Sequence, residues 1–320
     1  MQYTQLSRRS ASSKIDWEKQ YLTFIPVEDA VFSWAERAVS GHLEYSVNGG
    51  QTWVTIANGE STPTITTGSK VIWRGDLKPN ISNNYGIGTF SSTANYHAKG
   101  NTMSLLYSDD FYSKQLDISG GGHEFERLFY NNTHILSAPL LPATILSVYC
   151  YYEMFKGCTG LTTAPELPAT TMTNLCYGFM FANCTSLTTA PELPAMTLGI
   201  NCYSSMFRGC KSLTTAPELP AMTLASTCYH DMFSGCTSLT TAPELPATTL
   251  EIACYYSMFY GCTKLNYIKC LATNISAPNC LIGWVFNVAS TGTFVKKPNM
   301  SSWPTGASGI PSGWTIVDNN

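Results

Sequence analysis

The fold of this chain is decided by the stretch CYSSMFRGCKSLTTAPELPAMTL, residues 202–224, because it recurs along the sequence with small changes. The interval from Cys176 to Cys202, and again from Cys202 to Cys228, is 26 residues, and the prolines keep the same phase. A fixed period in this range indicates a repeat architecture, in which one repeat is one supersecondary unit that cannot bury its apolar face alone. The sequence therefore predicts that neighbouring repeats stack on one another.

One repeat divides into two halves with different residue patterns. Cys202, Met206 and Phe207 are spaced as on one side of a short helix, and Gly209 suits its C-terminal end. Residues 213–219 are expected to be extended, since their proline holds the preceding residue out of the helical region. Each unit is therefore predicted to be a short strand, a turn, a short helix and a turn. The prolines also predict that the parallel sheet is short and irregular.

Twelve cysteines lie in or just after the repeats. An even count suggests a disulfide framework, but Cys202 and Cys210 would lie about 12 Å apart along a helix, beyond the reach of a disulfide. Asn132 takes the place of Cys158 in the first, degenerate unit, which favours a reduced ladder of buried thiols. Disulfides are the alternative, and zinc is less favoured because no close Cys-x-x-Cys pair is present. The predicted structural ladder consists of Cys150, Cys176, Cys202, Cys228, Cys254, Cys158, Cys184, Cys210, Cys236 and Cys262.

The segment Met-Phe-x-x-Cys-x-x-Leu-Thr-Thr-Ala-Pro-Glu-Leu-Pro-Ala, residues 154–169 and its copies, resembles the repeat of BspA-like leucine-rich-repeat surface proteins of gut Bacteroidetes and their phages. The resemblance covers roughly residues 125–320. The N-terminal half also resembles the β-domain that often precedes such repeats. The resemblance implies a leucine-rich-repeat fold and a role in adhesion or recognition, and it does not name a ligand.

The predicted fold class is mainly β with short helices: an N-terminal β-sandwich followed by a leucine-rich-repeat-type α/β solenoid. The predicted parts are a polar N-terminal arm at 1–20, an Ig-like β-sandwich at 21–118, the solenoid at 119–290 and a C-terminal cap at 291–320. The arm is either a disordered tail or an anchor that orders on a larger assembly. Trp303 and Trp314 are expected to cover the last unit. Alternating segments predict a hairpin turn at 48–50 and strands at 21–25, 43–47, 52–56, 70–73, 89–90 and 103–107.

The composition and the absence of known motifs exclude several classes of function. Charged residues make up 12% of the chain, against about 25% in an ordinary soluble domain, which suits an extracellular or virion protein. The net charge of −3 argues against a nucleic-acid partner, and no apolar run approaches the roughly 20 residues of a membrane span. No phosphate-binding loop, dinucleotide fingerprint, zinc-protease motif or nucleophile elbow is present. The protein is therefore expected not to be an enzyme, and no cofactor or metal is predicted.

Comparison of the repeats with one another shows a constant frame and three positions that change. These positions lie on the predicted helical side and are expected to face solvent. They form a recognition surface of aromatic and polar groups, or they reflect surface drift, and both interpretations remain open. The candidate partner-binding residues are Tyr152, Glu153, Phe179, Arg208, His230, Asp231, Tyr256 and Tyr260.

A row of glutamates recurs in phase on the strand side of the repeats. Paired strands would place successive members about 5 Å apart, so their like charges repel unless water or a cation intervenes. A solvated acidic stripe, a calcium site and a patch for a basic partner are the three interpretations. The acidic stripe consists of Glu166, Glu192, Glu218 and Glu244.

The predicted function is that of a non-catalytic recognition or adhesion protein. We expect a phage fibre or decoration protein at the virion surface, which binds a host surface glycan or protein and attaches to virion structural proteins through its N-terminal arm. This expectation draws on residues 1–20, which lack the apolar segment of a secretory signal. The alternative is a secreted or lipid-anchored bacterial cell-surface adhesin whose true start lies upstream, and a third hypothesis is the accessory region of a glycan-processing enzyme. A homo-oligomer such as a trimer is left open, since no heptad repeat enforces one.

Overall fold

A computed structural model describes residues 16–37, 39–79, 86–300 and 302–319. This part of the chain is mainly β, with two α-helices of four residues each. The strands are β1 (Leu22–Pro26), β2 (Phe32–Glu36), β3 (Val39–Ser40), β4 (Leu43–Ser46), β5 (Val54–Thr55), β6 (Val71–Gly75), β7 (Lys78–Pro79), β8 (Gly88–Ser92), β9 (Tyr96–Lys99), β10 (Ile135–Ser137), β11 (Tyr267–Lys269), β12 (Thr293–Lys296) and β13 (Thr315–Asp318). The helices are α1 (Ser104–Tyr107), α2 (Phe111–Lys114) and two 3-10 turns at Trp17–Lys19 and Ser108–Asp110. Most of the predicted N-terminal arm, residues 1–15, lies outside the described residues.

The N-terminal part is held together by aromatic side chains between sheets. A six-stranded sheet has the order β10-β9-β1-β6-β4-β5, β2 pairs with β8 in a second sheet and β3 pairs with β7 in a third. Phe24 on β1 contacts Phe32 on β2 and Phe90 on β8, with ring centroids 5.2 and 5.0 Å apart. The buried faces that alternate along these strands therefore meet in one apolar layer.

The hairpin turn predicted at residues 48–50 is confirmed. β4 and β5 pair in antiparallel register, with Tyr45 opposite Val54. Gly49 and Gly50 between them have φ of 73° and 90°, a conformation that glycine adopts at no steric cost.

The strand predicted at residues 103–107 is wrong, because the chain forms helix α1 there. The side-chain oxygen of Asn101 accepts the Met103 N–H at 3.0 Å, which favours a turn. Ser104 Oγ donates to Trp73 O on β6 at 2.9 Å. A short apolar run fits a buried strand and a buried helix equally well, and these side-chain hydrogen bonds decide for the helix.

The first repeat is joined to the N-terminal sheet by backbone pairing. β10 runs parallel to β9, with Ile135 opposite Tyr96. Asn132 Nδ2 donates to Phe90 O at 3.0 Å and to Tyr96 Oη at 2.9 Å. The buried apolar residues form one continuous core from the N-terminal strands into the repeats. The division of the chain near residue 118 and the Ig-like assignment stay predictions.

The short helix predicted in every repeat is wrong. Residues 149–157 instead form overlapping four-residue turns, in which the Tyr152 N–H donates to Tyr149 O at 3.1 Å. The N–H groups of alternate residues donate to the next unit, as from Tyr151 N to Cys176 O at 3.0 Å. The same pattern recurs in what we call the turn segments: residues 123–131, 149–157, 175–183, 201–209, 227–235 and 253–261.

The distance between units explains why helices do not form here. Rings inside the stack lie face to face, as Phe155 on Phe181 and Phe181 on Phe207, at centroid distances of 5.6 and 5.7 Å. This is close to the roughly 5 Å between paired strands, whereas an α-helix with its side chains is about 10 Å wide. The extended segments on one side of each unit pair with those of its neighbours and so set the unit spacing. The opposite side keeps the same spacing only if its backbone also forms hydrogen bonds from unit to unit. A second column of stacked rings consists of Tyr151, Tyr177, Tyr203, Tyr229 and Tyr255.

Each turn segment needs a left-handed residue at every fourth position. In the segment before Cys158 these residues are Tyr149, Glu153 and Gly157, with φ of 57°, 54° and 76°. A residue with a Cβ pays about 1 kcal/mol or more for this conformation, so the lateral hydrogen bonds and buried rings must offset the cost. Glycine or asparagine fills the third position of the successive segments, at Asn131, Gly157, Asn183, Gly209, Gly235 and Gly261.

The other side of each unit, which we call the strand side, carries the extended segment. Its pairing is parallel and consists of single bridges, for which the prolines provide a reason, since they donate no N–H. Successive bridges join Ser137, Thr163, Thr189 and Thr215.

The chain after the last full unit closes over the interior rings. The Trp284 ring centroid lies 6.3 Å from that of Tyr255 and 6.2 Å from that of Phe259. Trp284 Nε1 donates to Gly309 O at 2.8 Å, and Trp303 stacks on the same indole at 6.0 Å. Trp284 is fully buried as a result, and the parallel sheet β11-β12-β13 lies beside it.

Candidate functional site

The three changing positions of the repeats lie side by side on one surface. They fall within the turn segments, at Tyr152, Glu153 and Lys156 and their equivalents. Lateral hydrogen bonds between the segments set equivalent residues about 5 Å apart. We call this surface the turn face. All the predicted partner-binding residues lie on it, but they form separate groups and differ in exposure.

The first group joins Tyr152 and Phe179, from neighbouring units. Their rings meet edge to face with centroids 5.7 Å apart, and Lys156 Nζ lies 5.0 Å from the Phe179 ring centroid. Gly178 makes room for Tyr152, because a Cβ at this glycine would come within 3.0 Å of the tyrosine ring. Partial burial raises the pKa of Tyr152 to about 12, so its hydroxyl stays neutral at ordinary pH.

Glu153 is buried and does not face solvent as predicted. Its side chain is 5% exposed, and its carboxylate lies 2.5 Å from Arg127 Nε and 2.6 Å from Lys156 Nζ. Burial acts to lower the pKa of Arg127, but the hydrogen bond to Glu153 and the negative charges of Glu153 and Glu126 together outweigh it, and the pKa is raised. Both cations also lie over the Tyr130 ring, 5.5 and 5.7 Å from its centroid. Glu153 therefore positions two cations and has no free carboxylate edge for a partner.

The second group lies three units along the stack from Tyr152. The rings of His230 and Tyr256 are 4.7 Å apart and inclined by only 2°. Asp231 Oδ2 lies 3.4 Å from His230 Nδ1 and 3.6 Å from Arg208 Nη1. Burial raises the pKa of Asp231, and its two basic neighbours partly oppose that shift. The Arg208 side chain remains 54% exposed, so it can also reach a ligand.

Small side chains separate these two groups. Ala182, Ser204 and Ser205 stand where the first full unit has Lys156, Tyr152 and Glu153. Ser205 is 1% exposed, and its Oγ has no hydrogen-bond partner among the described residues. We call this part of the turn face the saddle. Its floor is Ala182, Ser204 and Ser205, all of which are buried, with Ala182 1% and Ser204 6% exposed. One wall is Tyr152 and Phe179, and the other wall is His230 and Tyr256.

A third group lies nearer the C-terminal end of the turn face. Tyr260 stacks on Phe286 with ring centroids 5.1 Å apart, and each side chain is nearly half exposed. The sequence prediction named Tyr260 but missed Phe286, and it missed Arg127 and Tyr130 near the first group. All three keep the 26-residue phase of the changing positions. Extending the comparison to the degenerate first unit and to the unit after the last would have found them.

All twelve cysteines lie within the described residues, and none is bonded to another. The second cysteine of each unit donates its thiol hydrogen to a main-chain carbonyl of the preceding unit. These cysteines are Cys158, Cys184, Cys210, Cys236 and Cys262. Examples are Cys158 Sγ to Phe129 O at 2.9 Å and Cys210 Sγ to Phe181 O at 3.1 Å. Burial raises the pKa of these thiols, to about 12 for Cys262. Such thiols are weak nucleophiles, and their hydrogen bonds suit a structural role.

The acidic stripe lies on the strand side, and its four carboxylates are exposed. Glu244 Oε2 lies 2.9 Å from Lys269 Nζ. Glu166 and Glu192 border a shallow groove of about 420 Å³ together with neighbouring prolines. Across the described ranges, no three His, Cys, Asp or Glu side chains are grouped so that they could hold a metal ion. A solvated stripe, a calcium site and a basic-partner patch remain the interpretations of this row.

Comparisons with known proteins found no family model, no curated protein and no solved structure that matches this chain. Within the part of the chain that the structure describes, no helix is long and apolar enough to cross a bilayer. The geometry of the turn face is therefore the basis for a functional proposal.

Proposed function

We propose that this protein is a non-catalytic recognition protein that binds a host surface glycan or protein through its turn face. The observation that carries the proposal is the gathering of the changing positions on one surface over a constant backbone frame. The lateral hydrogen bonds that join the backbones of the turn segments are made by main-chain atoms, so residues such as Arg208 and Tyr256 differ between units without disturbing these bonds. Tyrosine and arginine are also the residues that most often dominate binding energy at interfaces.

In this proposal the repeats form a solenoid of leucine-rich-repeat type, related to BspA-like proteins. Buried leucines such as Leu161 and Leu213 keep one interior position. Asn132 and the cysteines that follow it supply the Asn or Cys that leucine-rich repeats carry at one turn position. The turn segments, which replace helices, are a departure from that pattern.

The proposed setting is the virion surface of a phage, with residues 1–20 as the arm that attaches to virion structural proteins. This setting draws on the resemblance to repeat proteins of phages. A bacterial cell-surface or secreted adhesin would use the same turn face. Co-purification of the full chain with phage particles, compared with a chain that lacks residues 1–20, separates the two: arm-dependent attachment is expected for a virion protein. The glycan-processing hypothesis stays a prediction, which polysaccharide cleavage by the purified protein would test.

Binding of the labelled protein to intact gut Bacteroidetes cells tests the recognition role. The double variant Tyr256→Ser, Tyr260→Ser on the turn face is expected to lose cell binding. The matched double variant Glu192→Gln, Glu218→Gln on the strand side is expected to retain it. The opposite result would assign recognition to the acidic stripe, and a wild-type protein that binds no host cells would contradict the recognition role.

A further inference from the structure

We propose that the saddle binds a neutral oligosaccharide segment of a surface polysaccharide, with sugar rings packed against its aromatic walls. This inference rests on the recognition role proposed above, and it adds the class of ligand and the place where the ligand lies. Three features carry it: open ring faces, a floor of small polar side chains, and charges that cancel.

The ring face of His230 that looks into the saddle has no aromatic cover. The imidazole stacks on Tyr256 in the following unit, nearly parallel to it. Its other face is therefore turned toward the preceding unit, where Ser204 stands at the equivalent position. A serine is too small to cover an imidazole ring. The C–H groups on one side of a pyranose fit such a face, because aromatic rings carry negative charge on their faces.

The opposite wall offers a second aromatic surface. Tyr152 leans over Gly178, as the close approach of a Cβ there to the tyrosine ring shows, and Phe179 meets it edge to face. Since Tyr152 leans over Gly178, this wall reaches the unit of Phe179, which lies two units before that of His230, roughly 10 Å at the spacing of paired strands. The space between the walls is therefore the length of one or two linked sugar rings.

The floor holds one hydroxyl group that lacks a protein partner. Ser205 Oγ is buried and has no hydrogen-bond partner among the described residues, which is unfavourable for a buried hydroxyl. A sugar hydroxyl would provide the missing partner if the side chains that cover Ser205 move apart when the ligand binds. Ser204 lies beside it in the same unit, at the position where Tyr152 and Tyr256 stand in other units.

The charges beside the saddle favour an uncharged ligand. Arg208 Nη1 and Asp231 Oδ2 lie 3.6 Å apart, so their opposite charges offset one another. Together they offer donors and an acceptor to sugar hydroxyls. A uronic acid or another anionic sugar would gain from Arg208 but would meet the Asp231 carboxylate at close range. The favoured ligand is therefore a neutral polysaccharide and not an acidic one.

Retardation of the protein in gels that contain a defined polysaccharide tests the proposal. The probes are the neutral polymers mannan, xylan, dextran and laminarin, with alginate and polygalacturonate as acidic comparators. The central variant is Ser204→Tyr, which fills the saddle with a side chain that the frame already accepts at Tyr152 and Tyr256. The matched control is Ser212→Tyr, in the same unit but outside the turn face, at a position where a later unit carries Lys264.

The expected result is retardation by at least one neutral polymer, weakened about tenfold or more by Ser204→Tyr and unchanged by Ser212→Tyr. Removal of one wall by His230→Ala is expected to weaken binding as well. Circular dichroism and thermal unfolding of each variant establish that it is folded before its binding is compared.

Other outcomes overturn the saddle and the recognition role separately. Binding to acidic polymers alone, or cell binding that protease treatment of the cells abolishes, would overturn the ligand class while the turn face stays the recognition surface. Full binding by Ser204→Tyr, together with loss in the Tyr256→Ser, Tyr260→Ser variant, would overturn the saddle only. A protein that binds neither cells nor any polymer would contradict both proposals.

Discussion

Asn132 and Cys158 occupy the same place in successive units, and each donates a side-chain hydrogen bond to a main-chain carbonyl of the layer before it. Asn132 Nδ2 reaches Phe90 O on β8 at 3.0 Å, and Cys158 Sγ reaches Phe129 O in the first unit at 2.9 Å. An amide and a thiol differ in volume and polarity. What the position requires is therefore a buried donor, and the N-terminal sheet serves as the layer on which the first repeat stacks.

Removal of that donor is expected to cost stability. Cys210→Ala deletes the hydrogen bond to Phe181 O and leaves a small void, with an expected loss of about 1–2 kcal/mol in the free energy of unfolding. Cys210→Ser keeps a donor and should lose less. Urea denaturation of both variants measures the difference. An alanine variant at least as stable as the serine variant would show that these cysteines contribute to stability through packing and not through the hydrogen bond.

The cysteines are expected to be reduced thiols. Titration of the denatured protein without reductant should find most of the twelve free, and the same reagent should react slowly with the native protein because the thiols are buried. Unfolding under nitrogen controls for air oxidation of the exposed thiols. A denatured sample in which most thiols are blocked would instead support the disulfide framework.

Stability is expected to fall as the pH rises above about 9. Burial raises the pKa of Cys176 and Cys228 from an ordinary value of 9.0 to about 12, and it raises the pKa of Tyr177 well above 10.0. The unfolded chain then loses these protons at a lower pH than the folded chain does. The stabilisation is complete below pH 9 and is lost between pH 9 and 12, by up to about 1.4 kcal/mol per group and pH unit.

Urea midpoints between pH 7 and 10 measure this dependence. The decline should begin near pH 9 and steepen, since many buried thiols and tyrosines titrate together. A midpoint that stays constant up to pH 10 would show that these groups titrate normally in the folded protein.

Substitutions at the left-handed positions of the turn segments are expected to change stability by an amount that depends on the new residue. Gly235 has φ of 76°, and an added Cβ would lie 3.7 Å from the Cα of Gly209, so space is present and only the backbone conformation resists. Gly235→Ala should lose about 1–2 kcal/mol, and Gly235→Asn should lose less, because Asn183 fills the equivalent position. Thermal unfolding compares them with Gly120→Ala, a position with open space around it, which is expected to change little. Equal losses for alanine and asparagine would contradict the conformational explanation.

Deletion of one whole period is expected to leave a folded protein. Removal of residues 176–201 joins Leu175 to Cys202. Every N–H group that donated to the deleted unit then faces the equivalent carbonyl of the following unit. Repeat stacks gain stability approximately unit by unit, so cooperative unfolding should persist with a lower free energy. Removal of residues 176–188, half a period, breaks the phase and should abolish cooperative unfolding, which circular dichroism in urea detects. Similar unfolding of the two deletion variants would mean that the stacking of the units does not depend on the 26-residue period.

The period, the buried columns and the strand side could be predicted from the sequence, because spacing alone determines which residues stack. The backbone of the turn segments could not. Cys202, Met206 and Phe207 fit one side of a helix as well as they fit overlapping turns. Ser205 has a positive φ, but serine is not a residue type that predicts this conformation. A helix about 10 Å wide does not fit units that repeat roughly every 5 Å, which only the spacing of the assembled stack makes plain.

The candidate surface was predicted in part. Repeat-to-repeat comparison finds its positions, but it does not show that Glu153 turns inward between Arg127 and Lys156. It also does not show that the small residues Ala182 and Ser204 separate two aromatic groups. Both features depend on which units are neighbours and on where each side chain ends, which are properties of the assembled stack.

The stacked tyrosines give the protein an optical property of its own. Tyr151, Tyr177, Tyr203, Tyr229 and Tyr255 follow one another at ring-centroid distances of 5.6–6.1 Å, and Tyr255 stands next to Trp284. Energy absorbed by one of these phenols is therefore expected to transfer along the row toward the stacked indoles of Trp284 and Trp303 at its end. Their fluorescence after excitation of tyrosine is then expected to depend on the continuity of the row, so that replacement of one tyrosine by a non-aromatic residue weakens emission several units away.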